Sequence, residues 1–368
     1  MRIETLFLHN FRNYSRLQLS FDNHLNLFIG ANAQGKTNLL EAINFLATGK
    51  SHRTRNEEEV VLWGADGCSV AAKVGYLYGE GALKIAYLAA EKKKTYSVNG
   101  LTQKKSALSG KLTTVIFTPE DLAIVKGSPS NRRKFLDDEI SKVSPVYEDD
   151  MNRYQHVLRQ RNFLLKTHRK KILDSEELGS WNEQLAPLAA KIVSRRISVI
   201  HRLGLLSRLA QRRLTGRTES LDINYLSSFG AEISTDLPEL KELFLKKLAE
   251  KKEQEARLGQ TLIGPHRDDF QIFLNGREAR LFASQGQQRS LVLSLKMAEL
   301  EYIKGETGEF PVLLFDDVFS ELDEQRRFAL LEAIDGRVQT FITGTEADKM
   351  TRTKVPGKMF LVAHGEVK

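Results

Sequence analysis

Apolar positions recur at two different spacings along the chain, and the changes between them mark its elements. Near the start, Ile3, Leu6 and Leu8, then Leu17, Leu19 and Phe21, then Leu25, Leu27 and Ile29 fall near a two-residue period, which predicts two or three strands. The last of these runs into a glycine-bearing loop, after which Leu39, Leu40, Ile43 and Leu46 recur at helical spacing. From Val70 to Ile116 short apolar stretches alternate with turns such as Val98-Asn99-Gly100-Leu101, which predicts antiparallel sheet built from hairpins. Residues 131–213 are rich in Leu, Ala, Arg, Lys and Gln and poor in Gly, which predicts long helices. A further charged helix spans Pro238 to Leu258. Strand-like text returns at Thr261-Leu262-Ile263-Gly264 and from Phe270 to Leu274. A helix from Ser284 to about Lys304, a strand at 312–316, a helix at 323–334 and strands at 338–343 and 358–363 complete an α/β pattern. This order predicts a discontinuous α/β lobe, residues 1–130 with 259–368, interrupted by a helical lobe at 131–258.

Composition adds little except where charge is concentrated. The 368 residues are 41% hydrophobic and 28% charged, as in ordinary soluble globular proteins. A single cysteine, Cys68, excludes an internal disulfide and a cysteine metal cluster. Met1-Arg2-Ile3-Glu4-Thr5 shows no basic patch ahead of an apolar core, so no signal peptide is expected. No apolar run approaches the ~20 residues that span a bilayer, so the expectation is a cytoplasmic protein without a membrane partner. The net charge of +8 is unevenly spread: Arg153 to Arg213 holds 14 Lys/Arg against 4 Asp/Glu, a net of +10. Counterion release favours such a lobe against DNA phosphate, through backbone contacts that do not read sequence. The candidates are Arg132, Arg133, Arg159, Arg161, Arg169, Lys170, Lys171, Arg195 and Arg196. Against this stands the ordinary reading of a charge run as a solvated face.

Three motifs supply candidate chemistry. Gly30-Ala31-Asn32-Ala33-Gln34-Gly35-Lys36-Thr37, followed by Asn38, has the G-x-x-x-x-G-K-T pattern between a strand and a helix. In that context successive backbone N–H groups and the helix N-terminus cradle phosphates. Lys36 would reach the β- and γ-phosphates of ATP and Thr37 would hold Mg²⁺. Val312-Leu313-Leu314-Phe315-Asp316-Asp317 reads as a buried strand ending in two carboxylates. Asp316 would share the Mg²⁺ with Thr37, and Asp317 would orient the attacking water. Ser284-Gln285-Gly286-Gln287-Gln288-Arg289 opens a helix, where Ser284, Gly286 and Gln287 can form a second anion site. Alone that motif reads as a helix cap. With the other two, and with Ser320-Glu321-Leu322-Asp323 after them, it points to a site completed by the ATP of a partner subunit.

The chain resembles the RecF family, bacterial recombination mediator ATPases related to SMC-type heads, over nearly its full length. The resemblance is carried by Leu8-His9-Asn10-Phe11-Arg12-Asn13-Tyr14, the phosphate loop, Ser51-His52-Arg53-Thr54 and Phe117-Thr118-Pro119-Glu120-Asp121-Leu122. It is carried further by Pro129-Ser130-Asn131-Arg132-Arg133-Lys134-Phe135-Leu136-Asp137, Gly264-Pro265-His266-Arg267-Asp268-Asp269 and the Ser284 motif. It implies a P-loop NTPase of ATP-binding-cassette, SMC-head architecture with an inserted helical lobe. It also implies an ATP-dependent homodimer that binds DNA, hydrolyses ATP slowly and works with RecR and RecO proteins to load recombinase at single-strand gaps. By position, Arg12 and Asn13 would lie beside the nucleotide and Ser284 would touch the γ-phosphate across the dimer. Glu120 or Asp121 stands where many cassettes sense Mg²⁺ with a glutamine. Thr343 or Thr345 stands where many carry a switch histidine. Asp317 replaces the usual glutamate, whose longer reach would place water better, and so fits a slow timer. His52 and Arg53 read equally as structural or as nucleotide or DNA ligands, and His266 as part of a structural corner.

Two other functions compete: an assembly module in which hydrolysis is dispensable, and a transporter ATPase subunit. The basic helical insertion argues against the transporter. The lack of an N-K-x-D motif argues against a small GTPase.

Overall fold

The structure, a computed structural model, describes residues 1–168, 176–230, 234–317, 322–334, 336–345 and 357–368. In chain order the first elements are β1 (Arg2–Phe11), β2 (Tyr14–Ser20), β3 (Leu25–Ile29), α1 (Lys36–Thr48), β4 (Gly67–Tyr76), β5 (Gly79–Leu88), β6 (Lys93–Val98), β7 (Leu101–Gln103) and β8 (Thr114–Phe117). Helices α2 (Ala123–Lys126), α3 (Pro129–Val143), α4 (Pro145–His168) and α5 (Glu176–Leu214) follow, then β9 (Leu221–Leu226), α6 (Leu237–Leu258), β10 (Asp269–Leu274) and β11 (Arg277–Glu278). The last are α7 (Ala279–Phe282), α8 (Gln285–Thr307), β12 (Val312–Phe315), α9 (Glu324–Ile334), β13 (Thr340–Gly344), β14 (Gly357–Ala363) and β15 (Glu366–Val367). Among the described residues no helix is long and apolar enough to cross a membrane.

The chain forms two compact units. The first comprises Met1–Asp121, Arg212–Thr218 and Leu293–Lys368, and the second Leu122–Gln211 and Glu219–Val292. This corrects the boundaries expected at 131 and 258. Residues after 258 stay with the helices because β10 pairs along its whole length with β9, and because Arg132 on α3 forks onto Asp269. Composition cannot register pairings of that kind.

The first unit is built from two six-stranded sheets. One is antiparallel, in the order β2-β1-β4-β5-β6-β7. Its β6–β7 turn places Asn99 at φ 51° and Gly100 at φ 80°, the primed turn that matches strand twist, as Asn-Gly predicts. The second sheet has the order β15-β14-β3-β13-β12-β8, with β14, β3, β13, β12 and β8 parallel. Helix α1 buries Leu39, Leu40, Ile43, Phe45 and Leu46 in a core shared with strands of both sheets. The expected hairpin region therefore ends before β8. Thr114–Phe117 is a mostly buried run, and it pairs in parallel with Val312–Phe315 nearly two hundred residues away.

In the second unit α3 packs on α4 and on β10 of the small β11-β10-β9 sheet, and α4 packs on α6. Thr261–Gly264, expected as strand, is irregular. Its main chain bonds to side chains instead of a ladder: Thr261 N–H donates to Asn162 Oδ1 at 2.7 Å, Leu262 N–H to Glu255 Oε1 at 2.8 Å and Gly264 N–H to Ser228 Oγ at 2.8 Å. The expected structural corner is present here. His266 shares a 2.7 Å hydrogen bond with the Tyr154 hydroxyl, and burial pushes the imidazole down to about 4. Strand β9, whose Leu221, Ile223 and Tyr225 alternate, is absent from the sequence reading although its period was visible.

Arg161, 1% exposed, is held by Glu255 at 2.7 Å, Asn182 at 2.7 Å and Thr261 at 2.7 Å. Removing one partner of a buried pair strands the other charge. We predict that Arg161→Ala lowers unfolding free energy by about 3–5 kcal/mol, read by urea denaturation. An unchanged midpoint would show that the pair contributes nothing.

Candidate nucleotide site

Strand register brings the sequence motifs to one sheet edge. Ile29 at the end of β3 lies beside Gly344 of β13, and Phe315 at the end of β12 lies beside Ile342. Gly30, Thr343 and Asp316 therefore emerge together at the carboxyl edge, where open α/β sheets bind ligands.

The loop from Gly30 to Gly35 can take its shape only with small residues. A Cβ on Gly30 would stand 2.2 Å from the Val362 carbonyl oxygen, and Gly35 has φ +116°. Neighbouring chain holds the loop from outside. Asn13 Nδ2 donates to Gln34 O at 3.2 Å, Tyr14 Oη to Gly35 O at 3.1 Å, and His364 N–H to Gln34 Oε1 at 2.6 Å. Ala31, Asn32 and Ala33 remain exposed. Lys36 is buried, and its ammonium donates to the Gly30 and Ala31 carbonyls at 2.8 Å each. Neutral carbonyls do not cancel a buried charge, so the cradle suits an anion. It fits the phosphates of ATP.

Asp316 is the acceptor at the centre of the edge. Its Oδ1 receives the Thr37 hydroxyl at 2.8 Å and the Thr343 hydroxyl at 3.1 Å, while the Asp317 N–H donates to Thr343 Oγ1 at 2.9 Å. Burial, reinforced by the Asp317 charge, pushes the Asp316 carboxyl above the usual aspartate range, against the pull of Thr37, Thr343 and Arg53. Thr37 and Asp316 are therefore in direct contact. Asp317 has φ +55°, a region non-glycine residues enter only where surrounding structure holds them. Of the two threonines considered for the switch position, the hydrogen bonds involve Thr343; Thr345 is exposed.

Sequence reasoning missed Glu41, the acceptor behind the loop helix. Fully buried, it takes Arg12 through two bonds of 2.6 and 2.9 Å, Ser51 Oγ at 2.5 Å and Arg53 at 3.3 Å. Burial alone would raise its carboxyl, but the bonds from Arg12 and Ser51 and the two arginine charges hold it below the usual glutamate range. A carboxylate on the apolar face of α1, between Leu40 and Ala42, was the available signal. Arg12 is thus beside the loop, but its guanidinium is bound to Glu41 and the Glu59 carbonyl. Arg53 bridges Glu41 and Asn38, donating to Asn38 Oδ1 at 2.8 Å, and Asn38 in turn donates to Asn13. His52 lies 3.4 Å from Asn44, and burial lowers its imidazole. Asp121 accepts from Thr118 N–H and pairs with Lys296 at 3.3 Å; Glu120 is exposed.

Ser284 belongs to the second unit, at the exposed start of α8. It forms a reciprocal cap with Gln287: Ser284 N–H donates to Gln287 Oε1 at 2.9 Å and Gln287 N–H to Ser284 Oγ at 3.3 Å. Gly286 leaves open space where a side chain would stand.

The basic-lobe expectation needs correction. Arg132, Arg161 and Arg196, expected on a DNA-facing surface, are instead buried on Asp269, Glu255 and Asp137 respectively. Arg133 is half-buried and donates to the Asp268 carbonyl at 2.7 Å. Arg195 is half-buried and Arg159 exposed. Arg169, Lys170 and Lys171 lie outside the described residues, as do Ser320 and Glu321.

Comparison with known proteins agrees with this geometry. The family model for the RecF/RecN/SMC N-terminal domain matches residues 2–368. A "DNA replication and repair protein RecF" from Natranaerobius thermophilus is 45% identical, covering 100% of this chain and 97% of the relative. A structure of the recombination mediator protein RecF with ATP, from the RecFOR pathway, superposes with a TM-score of 0.90 at 36% identity, over 100% of this chain and 96% of that one. The Smc head of Pyrococcus furiosus, at 15% identity, 95% coverage of that chain and a TM-score of 0.56, shares the fold. The fold is that of an SMC-type ATP-binding-cassette head.

Because the folded Asp316 carboxyl is raised, its ionised form costs stability. That cost is absent below the unfolded value and fully present above the folded one, so it vanishes as pH falls through the raised value. Asp316→Asn is expected to raise the nucleotide-free melting midpoint by about 1–2 °C, for about 1 kcal/mol returned, and to weaken Mg²⁺-dependent ATP binding. A lower midpoint by calorimetry would contradict this.

Proposed function

Because the chain belongs to the RecF family, we propose that it is an ATP-switched DNA clamp of DNA replication and repair. ATP binding drives homodimerisation, the dimer binds DNA, and slow DNA-stimulated hydrolysis resets it. The proposed setting is the cytoplasm, at single-strand gaps, where it would act with RecR and RecO proteins to load recombinase during recombinational repair and replication restart.

The observation that carries this reading is the Thr37–Asp316–Thr343–Asp317 chain of hydrogen bonds beside the buried Lys36. Lys36 holds a full charge on carbonyls at the mouth of a loop whose N–H groups suit phosphate. When ATP arrives, that ammonium can exchange a carbonyl for a phosphate oxygen, which raises affinity for the triphosphate over smaller anions. Thr37 and Asp316 would hold Mg²⁺, which spreads the charge of the transferring phosphoryl group. Asp317 would accept the proton of the attacking water. Its main chain is pinned to Thr343 and its side chain is one methylene shorter than glutamate, which supports slow turnover. Ser284, Gly286 and Gln287 offer a hydroxyl and a helix start to the partner's γ-phosphate; the capping bond of Ser284 at 3.3 Å is long and easily given up.

Sedimentation velocity with no nucleotide, ADP or ATP, each with and without a gapped duplex, tests the reading. A dimer appears only with ATP. Lys36→Ala abolishes ATP binding, and Ser284→Arg binds ATP but stays monomeric. A nucleotide-independent dimer, or a tight ATP dimer of Ser284→Arg, sinks the composite site.

Asp317→Asn is expected to retain ATP-dependent dimerisation while kcat falls by at least about 100-fold. Loss of repair in cells carrying it would mean that turnover is required. Retention would support the assembly module instead.

A further inference from the structure

The burial of Arg132, Arg161 and Arg196 in ion pairs takes three of the nine expected contacts off the surface. Another surface of the right sign lies on the antiparallel sheet of the first unit.

Strand alternation gives that sheet two faces. Leu6, Leu8, Val70, Val74, Leu83 and Ile85 point into the core. Register then fixes the opposite face. Lys73 pairs with Ala82, Lys84 with Ala71 and Ser97, and Lys93 with Leu88. His9 pairs with both Arg16 and Ser69. Arg16, Lys73, Lys84 and Lys93 are all exposed. No side-chain hydrogen bond or ion pair to any of the four occurs among the described residues. The contrast with Lys94 is informative. One residue on from Lys93 and on the inner face, it is spent on the Gly49 carbonyl and on Glu57.

Between the cations the face carries mostly small side chains, Ser69, Ala71, Ala82 and Ala86, with the half-buried Phe7 opposite Ala71 and the exposed Leu88 opposite Lys93. Such a surface is flat and lets a rigid rod approach while flexible amines reach up to it. The carboxylates on this face are Glu4, 3.5 Å from Arg2, and Glu80 opposite Gly75, both at the end next to the Tyr76–Gly79 turn. From Lys73 to Lys93 the lysines step across three adjacent strands and six residues along them, a diagonal of roughly 20 Å.

We propose that this outer sheet face binds the DNA phosphate backbone through Lys73, Lys84, Lys93 and Arg16. The inference rests on the reading of the chain as a DNA clamp and names the surface that clamp uses. Charge complementarity chooses the occupant. A protein partner needs a central apolar anchor, whereas on this face Phe7 is half-buried, Leu88 stands at a strand end and the cations are unpaired, which suits a polyanion. The contacts read no base, and each lysine engaged with B-DNA contributes about 0.9 to the salt dependence of log K.

The test is fluorescence anisotropy of a labelled gapped duplex with the full chain and ATP, repeated across salt concentrations. Lys73→Gln/Lys84→Gln/Lys93→Gln should weaken binding at least tenfold and flatten the salt slope by about 2.7, at about 0.9 for each of three contacts. The matching Lys→Arg triple should keep both affinity and slope. Arg159→Gln, on the helical unit, is the comparison and should change the slope by less than one contact. An unchanged slope in the Lys→Gln triple, or equal loss in the Lys→Arg triple, overturns the surface. Wild-type protein that binds no duplex with ATP would instead overturn the clamp reading on which it rests.

Discussion

One buried carboxylate, Asp316, holds the nucleotide edge together. Thr37 lies in the first turn of α1, Thr343 near the end of β13 and Asp316 just after β12, and a single oxygen accepts from both hydroxyls. Three segments more than two hundred residues apart in the extreme are thereby fixed within hydrogen-bond reach. The arrangement is costly, because burial and the adjacent Asp317 both oppose ionisation of that carboxyl. A protein selected for stability alone would place an amide or an alkyl group here. An ionised acid kept against that cost makes sense where a cation is to be bound, since the metal supplies the compensating charge. The αL backbone of Asp317 next to it is a second local cost, held by the N–H bond to Thr343.

Glu41 plays the corresponding part behind the loop. It gathers Arg12 and Arg53 with one carboxylate, leaving one positive charge in excess. The two arginines are held unequally. Arg12 is clamped by two short bonds, while Arg53 makes one contact of 3.3 Å with Glu41 and stays 45% exposed. Through Asn38 and Asn13, Arg53 is linked to the loop residue Gln34, which the β14–β15 turn also holds. The cations near the phosphate cradle are therefore oriented before any nucleotide arrives, so little reorganisation is needed at binding.

Local spacing made the nucleotide edge legible. The loop pattern, the apolar run before Asp316 and the Asn99-Gly100 turn each sit within a few residues and each folds as its spacing predicts. What failed to show was pairing over distance. The charge of residues 153–213 counts Arg161 and Arg196 as available, yet their partners Glu255 and Asp137 are 94 and 59 residues away. The apolar run at 114–117 looks the same whether its neighbour is a hairpin strand or β12. Thr261–Gly264 has strand-like residues, and only the side chains of Asn162, Ser228 and Glu255 decide that it turns instead.

The same distinction separates cations that build the fold from cations open to a partner. An arginine buried on a carboxylate cannot turn to DNA without stranding that carboxylate, a cost of about 3–5 kcal/mol that one phosphate contact does not return. An exposed lysine on a wet sheet face has no such bond to break and loses only rotamer freedom, while the counterion it releases from the DNA favours binding. Net charge summed along sequence weighs the two alike. Weighing them by what each would have to give up takes Arg161 and Arg196 out of the helical surface and brings in Lys73, Lys84 and Lys93, which strand alternation leaves exposed.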